Sequence, residues 1–249
     1  MAVEIIFTVN SGMLINSGNT SILVDSIYGK EGRDLFSRPN KGLMRDMLNG
    51  EPPFDKVDAF LFTHLHVDHG SPYMISDIKN KNIPVIFPYT GRYERGFRDV
   101  KNPKIYFDFT DKKEQIVNIG EAKIIGIPTI HAGRKLLNTE HFSLIIELDG
   151  KRLLIAGDVS DDDENLAKAV SEREFDVAFV NYSEISREKG RYLINKLIKP
   201  KRLFLYHLPL PEDDKHDFLE TTRKNLIKYK DDLPEQCNIV RYLSKLVIE

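Results

Sequence analysis

Metal-type side chains are concentrated in one short stretch of this chain, Thr63-His64-Leu65-His66-Val67-Asp68-His69. Three of the seven histidines fall within six residues, with an aspartate between the second and third. Imidazole nitrogen and carboxylate oxygen are the donors that borderline divalent metals take, so this spacing describes a metal-gripping loop. A polar loop that happens to be histidine-rich is the competing reading, and it would prevail for a lone histidine. For a cluster of this density the metal prevails. Such donors need a rigid mount. Residues 57–62, Val-Asp-Ala-Phe-Leu-Phe, read as a buried strand that releases the cluster at its end.

Three isolated residues share that context. His131 follows the apolar run Gly126-Ile127-Pro128-Thr129-Ile130, Asp158 follows Leu153-Leu154-Ile155-Ala156-Gly157, and His207 follows Leu203-Phe204-Leu205-Tyr206. Ends of strands are where α/β architectures assemble their sites. Singly, each is an ordinary hydrogen-bonded histidine or aspartate. With the cluster they form a set of His64, His66, Asp68, His69, His131, Asp158 and His207, for which coincidence is a poor explanation.

The elements that must position this set are readable from turn signals and periodicity. Residues 4–9, 13–16 and 21–25 are expected strands, broken by Gly12 and by Ser17-Gly18-Asn19, and the last ends on Asp25. Residues 26–55 lose the pattern among glycines and prolines, apart from a helix near 43–48. A stretch of this length is compatible with a lid over the site and equally with a plain surface excursion. A helix at 72–80 and a strand at 83–87 follow. The segment 91–104 then carries Arg92, Arg95, Arg98, Lys101 and Lys104 against Glu94 and Asp99. It reads as a solvated basic face, with attraction of an anionic substrate as the alternative.

Strands are expected at 105–109, 115–119 and 122–128, and then a hairpin at 142–148 and 152–156 around Asp149-Gly150. That hairpin ends on Gly157-Asp158 much as the hairpin of residues 15–25 ends on Asp25, which suggests two similar halves facing each other. Beyond it the pattern alternates. A helix from Ser160 to about Arg173 is capped by the serine hydroxyl. Its acidic start (Asp161, Asp162, Asp163, Glu164) serves the helix dipole and solvation rather than a metal. A strand at 176–180, helix 187–198, strand 202–206, helix 213–229 and short strands at 239–242 and 245–248 complete the chain. No Gly/Pro/Ser-rich linker divides it, so one domain over residues 1–249 is expected.

Composition bounds the function classes. A hydrophobic content of 41% with 30% charged residues describes an ordinary soluble globular chain. A net charge of −2 gives no global field to draw nucleic acid or an anionic membrane. One cysteine, Cys237, excludes an internal disulfide and a thiolate metal site. The first residues lack the basic flank and apolar core of a secretory signal, and no apolar run is long enough to span a bilayer. A cytoplasmic protein is expected; oligomeric state is left open.

Taken together, Asp25, the His-x-His-x-Asp-His motif of His64, His66, Asp68 and His69, the later His131, the Gly-Asp at Asp158 and the final His207 resemble the metallo-β-lactamase-fold superfamily of metal-dependent hydrolases, over essentially the whole chain. The resemblance implies an α/β fold, a four-layer α/β/β/α sandwich with the site at one edge of two facing sheets. It implies two divalent metal ions, zinc foremost, with manganese or iron compatible with an all nitrogen and oxygen donor set. His64, His66 and His131 would hold one; Asp68, His69 and His207 the other; Asp158 would bridge them. Two such ions can share a hydroxide and polarise the bond to be cleaved. Asp68 is the candidate catalytic residue, orienting that water and taking up a proton. Asp25 is expected to hold a ligand histidine by its other ring nitrogen.

Departures from relatives narrow the choice. The commonest β-lactamases carry cysteine where Asp158 stands, and the flavodiiron oxygen reductases carry glutamate where His66 stands. Glyoxalase II has a further helical domain, for which the 42 residues after His207 leave little room. No large insertion separates Asp158 from His207, unlike the RNA- and DNA-cleaving branch, and no long Gly/Pro-rich arm like that of the tRNA 3′-end endonuclease is present. The acyl-homoserine lactonases place a tyrosine soon after the bridging aspartate, where Val159, Ser160 and Asp161 stand here. Gly70-Ser71 also departs from the residues that commonly follow the motif. The compact branch with ascorbate-phosphate lactonase-like proteins remains. Weaker candidates are His141, which either faces the metals or lies at the surface, and Tyr182, a hydrogen-bond donor to substrate. Tyr206, Arg134 and Lys135 are of the same grade, and His216 is expected to be inert. The function expected is hydrolysis of an ester, lactone or phosphodiester bond in a small molecule. A phosphodiesterase or nuclease acting on nucleic acid, supported only by the basic segment, and a metal-binding sensor without turnover are the alternatives.

Overall fold

The computed structural model describes residues 2–29, 35–89, 96–133 and 135–249. Among them the chain first lays down β1 (Val3–Phe7), β2 (Met13–Asn16) and β3 (Ser21–Val24), then α1 (Lys41–Asn49), β4 (Ala59–Leu61), α2 (Pro72–Ile75), β5 (Val85–Tyr89) and β6 (Lys104–Asp108). A second series follows: β7 (Gln115–Ile119), β8 (Ala122–Ile130), β9 (Glu140–Leu148), β10 (Lys151–Ile155), α3 (Glu164–Ser171), β11 (Val177–Asn181), α4 (Glu188–Tyr192), β12 (Arg202–Tyr206), α5 (Phe218–Lys228) and β13 (Cys237–Ile239). The last strand, β14 (Lys245–Ile248), returns to pair with β1. The result is two seven-stranded sheets, ordered β14-β1-β2-β3-β4-β5-β6 and β13-β12-β11-β10-β9-β8-β7.

Each half is built alike. The antiparallel hairpin β2–β3 hands over to parallel β4, and the antiparallel hairpin β9–β10 hands over to parallel β11. The two aspartates that follow β3 and β10 therefore sit at equivalent places. Three apolar clusters fix the layers. One, with Phe7, Ile15 and Val24 of the first sheet against Ile124, Leu144 and Phe179 of the second, fills the space between the sheets. Another lies between the first sheet and α1, including Met44, Met47, Phe60 and Phe62. The third joins the second sheet to α3 and the helix after it, through Leu154, Leu166, Val170 and Ile194. Both sheets are thus covered on both faces, which is why β3 and β4 read as unbroken apolar runs rather than alternating ones. This is the four-layer α/β/β/α sandwich.

Several element bounds differ from expectation, each for a local reason. The helix expected at 72–80 is the single turn Pro72–Ile75. The helix expected to be capped by Ser160 starts at Glu164, because Asp163 is the cap. Asp163 is buried, and its carboxylate accepts from Leu166 N at 2.7 Å and from Ile130 N at 2.7 Å. One member of the acidic run is therefore structural, tying α3 to β8. The last long helix begins at Phe218 rather than Asp213, since Asp214 accepts from the amides of Phe218 and Leu219, at 2.9 and 2.8 Å. The helix after Arg187 continues from α4 as a wider π-type turn over Leu193–Ile198. The strand expected at 239–242 is Cys237–Ile239. No helix among the described residues is long and apolar enough to cross a membrane.

Candidate metal centre

The edges of the two sheets meet where β4 ends. Phe142 N donates to Thr63 O across the sheets at 2.9 Å, so the start of the histidine loop is pinned to β9. At the far side His207 N donates to Asn10 O at 3.1 Å, while the Asn10 side chain donates to Asp68 O at 3.1 Å. The β1–β2 turn thereby fixes a donor of each half. His131 and Asp158 are joined by backbone, Ala132 N to Asp158 O at 2.7 Å. All seven sequence candidates come together. Their donor atoms form the sets His64/His66/His131, His64/His69/Asp158 and Asp68/His69/His207, within each of which the atoms lie no more than 4.8 Å apart.

Four of the five imidazoles present one nitrogen to this centre while the other is engaged; the outer nitrogen of His207, Nδ1, is buried without a hydrogen-bond partner. His69 Nδ1 donates to Asp25 Oδ2 at 2.9 Å, so Asp25 holds a cluster histidine from behind. Thr63 Oγ1 donates to the same Asp25 oxygen at 2.6 Å and lies 3.1 Å from His64 Nδ1, whose N–H it accepts. His131 Nδ1 donates to Ala132 O at 2.7 Å, and His66 Nε2 to Thr139 Oγ1 at 3.3 Å. The remaining nitrogens face inward. His64 Nε2 meets His66 Nδ1 at 3.1 Å, His69 Nε2 meets His207 Nε2 at 3.0 Å, and the buried His131 Nε2 has no hydrogen-bond partner. Asp158 Oδ2 lies 3.6, 3.7 and 3.4 Å from the Nε2 atoms of His69, His131 and His207, and Asp68 Oδ2 lies 3.3 Å from His207. Five imidazoles converging in this way on two carboxylates are a donor set for a cation. The residues fit a divalent metal centre.

Electrostatics divide the set. Burial, aided by neighbouring imidazoles, pushes His64 well below the ordinary histidine value, and burial with the charge of His131 brings His66 down to about 4. Burial lowers His131 too. His69 and His207 go the other way: burial would lower them, but Asp25 and Asp158 outweigh it for His69, and Asp158 and Asp68 for His207. Burial would raise Asp158, yet His207 and His69 hold it well below the carboxylate range. Asp68 is likewise lowered despite burial, by its hydrogen bond with His207 and the charge of His69.

The weaker candidates sort themselves by their partners. His141 is fully buried, not at the surface, and has no nitrogen for a metal. Its Nε2 accepts from Asp158 N at 2.9 Å and its Nδ1 donates to Thr129 Oγ1 at 2.6 Å. It braces the Asp158 turn instead. That turn needs Gly157, whose φ is +67° and whose missing Cβ would stand 2.4 Å from His141 Nε2. Tyr206 is buried, with its hydroxyl accepting from Gly157 N at 2.9 Å. Tyr182 packs on Phe218, its phenol pushed up to about 12 chiefly by burial. It is not among the residues lining the cavity over the centre. His216 is exposed against Phe218. Arg134, Arg92 and Arg95 lie outside the described residues. Arg98, Lys101 and Lys104 are exposed and do not line the cavity.

Sequence reasoning passed over Asn10, Thr63, Thr129, Thr139 and Asn181. Asn181 donates to Asp158 Oδ1 at 2.9 Å, leaving Oδ2 for the centre. For Asn10 a signal existed, the Asn10-Ser11-Gly12 turn. The rest are single polar residues that mark nothing until their neighbours are known.

A cavity of about 610 Å³ opens over the centre, with His66, Asp68, His131 and Asp158 in its floor. Its walls include Leu35–Arg38 from the long segment after β3, of which residues 30–34 lie outside the described residues, and Lys135 and Leu136 after His131.

No protein-family profile and no curated protein matches the sequence. Solved structures do match the fold. A possible metal-dependent hydrolase from Veillonella parvula superposes with a TM-score of 0.73 at 14% identity, covering 100% of both chains. The metallo-β-lactamase fold protein YhfI from Bacillus subtilis superposes with a TM-score of 0.65 at 17% identity, over 99% of each chain. CmlA, a diiron β-hydroxylase from Streptomyces venezuelae, gives a TM-score of 0.67 at 14% identity; the match takes in 100% of this chain but only 54% of CmlA. The chain has the metallo-β-lactamase fold.

Proposed function

We propose that this protein is a metal-dependent hydrolase that holds two divalent ions, zinc foremost, and cleaves an ester, lactone or phosphodiester bond of a small molecule. The observation that carries this is the convergence of inward-facing imidazole nitrogens at 3.0–3.1 Å beneath an open cavity, with the partnerless His131 Nε2 beside them. His64, His66 and His131 would hold one ion and Asp68, His69 and His207 the other, with Asp158 serving both. When bound, the ions supply Lewis acidity and an activated water near neutral pH. The chain does the rest. Asp25 and Thr63 fix which nitrogens of His64 and His69 face inward. Asn181 and His141 hold Asp158 so that one oxygen is aimed at both sets. Asp68 lines the cavity floor and is only part-buried, so its carboxylate is placed to orient a water and take up its proton. A closed structural site would have no cavity above it, and an open one suits catalysis.

The matched structures include a possible metal-dependent hydrolase and a diiron β-hydroxylase, so fold alone does not choose the reaction. The choice is testable. Protein loaded with zinc or manganese should hydrolyse members of a panel of lactones, esters and bis(p-nitrophenyl) phosphate, with activity lost on chelation and restored by metal. Full metal loading without turnover across the panel would identify a binding module instead.

A further inference from the structure

We propose that the site takes a carboxylic ester or lactone bearing a single apolar group of about four to eight carbons, and not a polyanion; this rests on the hydrolase reading above. The walls of the cavity are apolar and come from three separate segments: Leu35 and Phe36 after β3, Leu65 and Val67 between the cluster donors, and Leu136 after His131. Val67 and Leu136 remain 40% and 38% exposed, and Phe36 stands edge-on to His207 with ring centroids 4.3 Å apart. Apolar surface thus runs down to the donors themselves.

Two polar groups of the wall, Tyr28 and Ser37, are already engaged. Tyr28 Oη lies 3.1 Å from Val9 O and 3.2 Å from Ser37 O, either of which can take its proton. Ser37 Oγ donates to Asp213 at 2.6 Å and accepts from Leu210 N at 2.7 Å. The wall therefore offers a ligand area to cover and few hydrogen bonds, which selects for an apolar body. The cations among the described lining residues are Arg38 and Lys135, set against Asp68 and Asp158. Nucleic acid is bound by many phosphate contacts, and two cations in the described wall do not supply them. A volume of about 610 Å³ corresponds to roughly twenty water-sized groups. A medium-length chain with its carbonyl head fits this volume.

Calorimetric titration of the zinc-loaded protein with acetate, butyrate, hexanoate and octanoate tests the class without requiring turnover. Kd should fall about two- to fourfold per added methylene. In Leu136→Ser, at an exposed position, the octanoate-to-acetate affinity ratio should drop about tenfold while bound zinc is unchanged, and Phe36→Ala should act in the same direction. The kcat/KM ratio of p-nitrophenyl octanoate to acetate should follow. Affinity independent of chain length, or a dinucleotide that binds more tightly than octanoate, would overturn the inference even if esters are cleaved. Affinity that rises with chain length without turnover of any ester would uphold the ligand class and overturn the hydrolase reading.

Discussion

Four donors of the centre leave the end of β4 on one continuous loop, whereas the other three arrive singly from the ends of β8, β10 and β12. The two halves solve the same aiming problem with different means. On the loop, consecutive residues cannot be oriented independently by backbone, so a buried hub does it: Asp25 and Thr63 between them touch His64 and His69. Asp25 itself sits at φ +43°, a left-handed conformation that turns its carboxylate under the loop. In the other half each donor has its own support, Asn181 and His141 among them for Asp158. His207 has φ +63°, Asp158 follows Gly157 at φ +67°, and His131 is locked onto the next residue's carbonyl. A contiguous motif needs a shared support; scattered donors are held one by one. Asp158 is where the two meet.

Breaking that meeting point should have the largest effect. Asp158→Ala removes the oxygen that faces His69, His131 and His207, and hydrolysis should fall about a thousandfold in steady-state assays, the upper range for loss of one charge-stabilising group. Retention of a tenth of wild-type activity would show the halves to be independent.

Next comes the hub. Asp25→Asn keeps an acceptor for Thr63 N but loses the charge behind His69, so zinc affinity measured by chelator competition should drop about 10–100-fold. An affinity within twofold of wild type would mean that the loop orients itself.

A third test concerns the turn that carries Asn181. Glu184 beneath it is buried, its Oε2 has no hydrogen-bond partner, and burial pushes its carboxyl up to about 7 against the pull of Arg187. The folded state therefore keeps a proton between about 4.5 and 7 that the unfolded state releases, and stability falls as pH rises through that window. Urea denaturation at pH 5 and pH 8 should show a loss on the order of 2 kcal/mol from this group, absent in Glu184→Gln. The same slope in both proteins would exclude Glu184 as its source.

Thr139→Val should do least. It removes the partner of His66 Nε2, worth about fivefold in metal affinity for one net hydrogen bond. A loss as large as that in Asp25→Asn would place the control of the loop in Thr139 instead of Asp25.

The same asymmetry governed what could be read in the chain. His64 to His69 announce themselves because contiguous donors leave a local signal, and His131, Asp158 and His207 followed from apolar runs that end on a donor. Two hairpins each ending on aspartate suggest two facing halves, and the resemblance to the superfamily implies the sandwich. The supports were not. Thr63, Thr139 and Asn181 look like any turn residue, and their role exists only once distant segments are folded against them. His141 was open between surface and site because a β-strand residue's face depends on a register that the letters do not carry. Asp163 displaced Ser160 as helix cap because the amide of Ile130, 33 residues earlier, also needed an acceptor.

The central claim is one cluster of two ions assembled from both halves. Metal analysis of zinc-reconstituted protein after removal of excess metal tests it most directly. About two zinc ions per chain are predicted for the wild type, and about one each for His66→Ala and His207→Ala. Less than one in the wild type, or two retained in both variants, would contradict the account.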